Sequence, residues 1–157
     1  MELIRHFSNE QYAAALEAWS FLDLAGKTPL FTSPFGDVFL RDGAGVWFLD
    51  TLDGTLACNW DTIAQLQAEL NTLAGRDAWL GAGLAGAAAA AGVLAEGDDV
   101  LDFRIAPCLG GPMDVGNVVV TDFVVSLSVA GQIRDQIRGL PVGTSISGIT
   151  IDGGAAG

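Results

Sequence analysis

Lysine is almost missing from this chain: Lys27 is its one copy in 157 residues. Lysine and arginine together number 7 against 19 acidic residues, for a formal net charge of −12. Direct binding to nucleic acid is therefore not expected, because phosphates demand Lys and Arg. An anionic membrane surface is disfavoured on the same ground. The balance suits a basic partner, or serves only to keep an apolar chain soluble. Histidine occurs once, as His6, between Arg5 and Phe7. A Ser-His-Asp or Cys-His mechanism would have to use that residue near a chain end, so an exposed or capping imidazole is the simpler reading. The two cysteines, Cys58 and Cys108, have neither metal nor redox spacing. A zinc site would have only these, His6 and carboxylates to draw on. One distant pair does not make a secreted disulfide scaffold, so two buried or half-buried reduced thiols are expected. Glu2 follows Met1 closely and no long apolar run precedes Ser8, which gives the expectation of a cytoplasmic chain. The uncharged run 78–95 is mostly Ala and Gly, which contribute little to membrane insertion, so no span is expected there.

What is present suits one domain with a sizeable core, since half the residues are hydrophobic. Ser8 with Gln11 reads as a capping box, and Tyr12, Leu16 and Trp19 continue one face of a helix over 9–22. Gly26, Pro29 and Pro34 make 23–34 a loop. Strands are expected at 35–40 and 46–50, joined by a five-residue turn at 41–45, and a turn at 51–54 leads to a third strand at 55–58. A helix over 61–74 would be capped by Asp61, stopped by Gly75 and buried along Ile63, Leu66, Leu70 and Leu73. A second, small-residue helix follows at 76–91. Glu96, Asp98, Asp99 and Asp102 then form an acidic turn, before a strand at 101–105 and a Gly/Pro loop at 106–116.

The stretch 117–141 organises the rest. It opens with the β-branched run Val118-Val119-Val120-Thr121. Phe123, Leu127, Ala130, Ile133, Ile137 and Leu140 then recur at helical spacing, with Val124 and Ser128 off that stripe. Thr121 or Asp122 can cap this helix, and Gly139 with Pro141 can end it. The rival reading is one strand over 118–129, but alternation fails beyond Gly131. A last strand is expected at 145–151 and a flexible tail at 152–157. Together these elements predict an α+β fold: one domain with a mainly antiparallel sheet and helices on one side, in which 1–34 and 35–151 form one compact unit.

The segments Cys108-Leu109-Gly110-Gly111-Pro112-Met113-Asp114, Asn117-Val118-Val119-Val120, Asp122-Phe123-Val124-Val125-Ser126-Leu127 and Ala130-Gly131-Gln132-Ile133 resemble the C-terminal domain of type VI secretion immunity proteins of the Tdi kind. Phe35-Gly36-Asp37-Val38-Phe39 and Val46-Trp47-Phe48-Leu49-Asp50-Thr51-Leu52 match the same family, and are similar to the opening hairpin of the SUKH immunity superfamily. In that family the domain often follows a so-called GAD-like domain, for which this chain is too short. The Ala-rich middle departs from the pattern. The resemblance implies the same α+β class and a protein that neutralises a bacterial toxin by covering it.

No persuasive catalytic set accompanies these segments, so an enzyme is not expected, and neither is a cofactor. Trp19, Trp47, Trp60 and Trp79 are expected in the core. The candidate toxin-binding residues are carboxylates on loops: Asp98, Asp99 and Asp102 in the acidic turn, Asp114 in the Gly/Pro loop, and Asp53, although its turn can use the side chain locally. The expected partner is a cognate toxin domain, basic and plausibly a nuclease, whose substrate-binding surface an acidic inhibitor can occupy. The alternative is a small-ligand or metal-dependent enzyme using the 98–102 turn. A further reading is a scaffold whose Ala/Gly-rich helix packs on an identical copy.

Overall fold

The computed structural model describes residues 2–141, 146 and 148–151. The capping box forms as expected at α1 (Asn9–Leu16): the Ser8 hydroxyl accepts from the Gln11 N–H at 3.1 Å, and Gln11 Oε1 accepts from the Ser8 N–H at 2.8 Å. The helix is shorter than 9–22, because a 3-10 turn at Glu17–Trp19 ends it. The expected loop 23–34 holds a strand, β1 (Thr28–Thr32). Pro29 permits this because β1 lies at a sheet edge, where a missing N–H is harmless.

β1 pairs with β2 (Val38–Asp42), β2 with β3 (Gly45–Asp50) and β3 with β4 (Thr55–Trp60), all antiparallel. The meander is present, with a tighter first turn than expected: Asp42 pairs with Gly45, leaving Gly43 and Ala44 as the loop. Phe35 and Gly36 belong to the turn before β2 rather than to the strand. Val38, Phe39 and Leu40 are each wholly buried. Val38 and Leu40 pack with Tyr12, Trp19 and Leu127, whereas Phe39 packs with Trp60, Leu66 and Leu80. A strand without apolar/polar alternation is one covered on both faces. Helices therefore lie on both sides of the sheet, not one.

Thr62, not Asp61, caps α2 (Ile63–Leu70), and its hydroxyl accepts from the Gln65 N–H. A second cap, Thr72, starts α3 (Leu73–Leu80), so Gly75 falls inside a first turn instead of stopping a helix. The break turns Leu73 outward, 79% exposed, while Leu66 stays buried. Gly81, at φ 62°, divides the expected helix 76–91 and leads into α4 (Ala82–Ala90). A Cβ there would also approach the Phe35 ring to 3.1 Å.

β5 (Asp99–Phe103) and β6 (Val118–Asp122) form a separate two-stranded antiparallel sheet. The strand expected at 101–105 thus starts and ends two residues earlier, which puts Asp99, expected in a turn, within it. The Leu101 N–H donates to the Pro34 carbonyl at 2.8 Å and ties this sheet to the first. α5 (Phe123–Ile137) starts at Asp122, whose carboxylate accepts from the Val125 N–H at 3.1 Å. The helix reading of 123–137 holds, and the strand reading fails. Phe123, Leu127 and Ile133 are buried, but Leu140 lies past the helix end and is 45% exposed. Ser128 is buried as well. Gly131 explains why: it lets the 3-10 turn approach α5 so closely that a Cβ would lie 2.8 Å from Ala18 Cβ. The Trp19 indole N–H donates to the Leu127 carbonyl at 2.9 Å across that contact.

The N-terminal segment is clasped onto distant chain. Arg5 donates to the carbonyls of Ala95, Gly97 and Asp99 at 3.1, 2.7 and 3.0 Å. Phe7 stacks on Phe123 with ring centres 3.9 Å apart. The whole is a single α+β domain, and none of the described helices is long and apolar enough to cross a membrane. Of the expected last strand, 145 and 147 lie outside the described residues, while 146 and 148–151 are not in a strand; 152–157 also lie outside.

Candidate functional site

The five carboxylates singled out from sequence do not make one patch. Asp98 is exposed and accepts from the Gln11 side-chain amide at 2.9 Å. Asp99 stands directly across from Asp122, so two acids face each other at one end of the β5–β6 ladder. Asp102 lies three positions along β5, on the opposite face, because alternate side chains point opposite ways. It turns toward α5, where burial raises its pKa against the pull of the Phe103 N–H and the Ser126 hydroxyl. Asp114 is exposed in the loop joining the far ends of β5 and β6. The acidic turn and the Gly/Pro loop are thus held a whole ladder apart, about 13 Å for four strand steps. Asp53 is exposed and free of the local duty expected of it, since Asp50 accepts from the N–H groups of Leu52 and Asp53.

A different set of carboxylates does converge. Asp37, Asp50 and Asp77 line a cavity of about 280 Å³ walled by Phe35, Phe48, Trp79 and Phe103. Among the described residues, no Lys, Arg or His borders it. Asp37 comes from the turn before β2, Asp50 from the end of β3 and Asp77 from α3. Asp37 is anchored by the Thr51 N–H at 2.9 Å, the Thr51 hydroxyl at 2.7 Å and the Ser33 hydroxyl at 2.9 Å. Burial still pushes its pKa up to about 6, with the Thr51 and Ser33 bonds pulling down and the Asp50 charge adding to the rise. Asp77 accepts from the Gly83 N–H at 2.9 Å and so fixes the α3–α4 junction over the cavity. Met113 completes the rim, and Asp114 follows it in the chain. Sequence reading missed this set because residues 37, 50 and 77 meet only through the meander and the helix break at Gly81.

The scarce positive and reactive groups are elsewhere. Lys27 lies 3.6 Å from Asp42 and 4.1 Å above the Trp47 ring, which commits the lone lysine to joining β1, β2 and β3. Arg134 lines the groove beside Gly54, with its Nε buried and unpartnered among the described residues. His6 is exposed. Cys108 is half-buried, but Cys58 is exposed, because β4 is an edge strand. Trp19 and Trp60 are in the core, with Trp47 and Trp79 packed against it. Among the described residues, no three His, Cys, Asp or Glu side chains are grouped to hold a metal ion. No protein-family model matches the chain, and no curated protein sequence matches it.

Proposed function

We propose that this chain is an immunity protein that binds a basic bacterial toxin domain, such as a nuclease, and blocks its substrate surface. One observation carries the reading furthest. Against 19 acidic residues, only three ion pairs form among the described residues, so most of the negative charge is left for a partner. The aromatic-walled cavity of Asp37, Asp50 and Asp77 gives that charge a shape, since an inserted Lys or Arg would meet both carboxylates and ring faces. Asp53 and Asp114 follow its lining residues Leu52 and Met113 in the chain, and both are exposed. The resemblance of 35–52 and 108–133 to immunity domains supports the same role.

Co-expression with the toxin domain of the adjoining reading frame tests this. Relief of growth inhibition and co-purification are expected, and loss of both would sink the reading. The aromatic walls also favour a second reading, in which the cavity holds a small organic cation. Titrating the protein with methylguanidinium, followed by tryptophan fluorescence, tests the cavity as a cation site under either reading, and the co-expression result decides between them.

A further inference from the structure

β4 is the outer strand of the four-stranded sheet, with no strand beyond it among the described residues. Alternate N–H and C=O groups of an edge strand point outward, ready to pair with another chain. The opposite edge is blunted. β1 carries Pro29, and Arg5 makes two backbone bonds to Thr32, each 2.8 Å. β4 has no such device. Thr55-Leu56-Ala57-Cys58-Asn59-Trp60 contains no proline and no charge, and Thr55, Ala57, Cys58 and Asn59 are exposed. Among the described residues, no backbone hydrogen bond from outside the sheet reaches 55–60. A register shift between Val46 and Trp47 disturbs only the Trp60 end.

Charge selects the occupant. Each chain carries −12, so two copies repel over most of their surface. β4 offers six uncharged positions where they can approach, whereas a basic foreign partner is drawn to the carboxylates around the cavity. We propose that β4 pairs antiparallel with β4 of a second copy, about a two-fold axis near Ala57 and Cys58, joining the two sheets edge to edge. Such a surface is self-complementary, as closed dimers require. Antiparallel pairing sets the Thr55 end of one strand beside the Trp60 end of the other. Asp53 and Arg134, whose side chain lies against Gly54, are at the first end. Asp61 follows the second end, where Glu69 accepts from the Trp60 indole at 2.9 Å. Arg134, on α5, and Glu69, on α2, lie on opposite faces of the sheet, so the backbone ladder between the two strands, not this charge pair, would hold the copies together. The proposal does not depend on the toxin reading, and it predicts the opposite salt response: screening favours two acidic copies and weakens an acidic–basic complex.

Sedimentation velocity over a wide range of concentration and ionic strength is the test. The mass should move from one chain toward two as concentration rises, and added salt should promote the change. A bismaleimide should link Cys58 to Cys58; the link should vanish in Cys58→Ser and persist in Cys108→Ser. Ala57→Lys places like charges across the axis and should restore the monomer while the near-ultraviolet circular dichroism stays native. A chain that stays single under all conditions overturns the proposal, as does a dimer whose dissociation constant Ala57→Lys leaves unchanged. Should Ala57→Lys lose its native spectrum, amide exchange at 55–59 in the unaltered chain decides: slowing at high concentration supports edge pairing, and no slowing overturns it.

Discussion

Replacing Gly131 by alanine asks whether the α5 contact is as close as described. In an open helix the change stabilises by about 0.5–1 kcal/mol, because glycine loses more freedom on folding. At Gly131 a Cβ would sit 2.8 Å from Ala18 Cβ, 2.9 Å from the Ala18 carbonyl oxygen and 2.9 Å from Trp19 Nε1. Carbon pairs are comfortable at about 3.5–4.0 Å, so the overlap exceeds half an ångström, and one of the atoms it meets is backbone. Relief requires the 3-10 turn to move off α5. Overpacking of this kind costs about 1–3 kcal/mol. Losing the Trp19–Leu127 bond leaves a buried donor, worth about another 1–3 kcal/mol. Against a propensity gain of at most about 1 kcal/mol, Gly131→Ala should destabilise by roughly 3 kcal/mol, lowering Tm by about 6–12 °C for a domain of this size. Gly86 in α4 has nothing within 4 Å of its Cβ position. Gly86→Ala should therefore stabilise by about 0.5–1 kcal/mol. Denaturant titrations followed by tryptophan fluorescence would measure both. If Gly131→Ala is neutral or stabilising, the close approach of the 3-10 turn to α5 is wrong.

Three further outcomes are expected. The folded pKa of Asp37, about 6 against an ordinary 3.8, means that the folded chain holds this proton more tightly than the unfolded one. Its stabilising effect is full below the lower value and lost as pH rises through the upper one, up to about 3 kcal/mol over some two units. Asp37→Asn, which keeps an oxygen for Thr51, should therefore gain stability relative to the unaltered chain between those pH values in urea titrations; a difference independent of pH would refute the assignment. Ser128 Oγ is buried without a partner among the described residues, so Ser128→Ala should be neutral or stabilising by about 1 kcal/mol in the same assay. Under the toxin reading, reversing Asp53 and Asp114 to Lys should slow association several-fold at low ionic strength in surface plasmon resonance. Reversing Asp98 and Asp99 should slow it less, and equal effects would count against the cavity as the centre of the interface.

Features set by a few neighbouring residues were legible in the sequence. The Ser8–Gln11 box, the antiparallel meander and the helix of 123–137 are of this kind. What failed depended on distant packing. β1 was hidden because Pro29 reads as a loop residue until its strand is known to lie at an edge. The division of the helices in 61–91 is not legible because Thr72 and Gly81 look like ordinary interior residues, and the second break follows from the left-handed backbone of Gly81 against the Phe35 ring. Both-sided burial of the sheet was in fact written in Val38-Phe39-Leu40, a run without alternation. The cavity carboxylates carried no local signal, since Asp37 resembles a turn residue and Asp77 a helix residue.

The clasp at Arg5 has a consequence for how the chain comes together. Its three acceptors lie 90, 92 and 94 residues further on, and the ring that Phe7 covers belongs to Phe123. Chains grow at roughly 5–20 residues per second, so α1 can pack on Val38, Leu40 and Leu49 early but waits for α5 before its burial is complete. Closing so long a loop is an entropic cost met before its contacts form, which slows folding. Until then Tyr12 and Trp19 lack the Phe123 and Leu127 side chains that complete their cover. A helix made before the sheet it packs on is thus completed only by a helix made after that sheet.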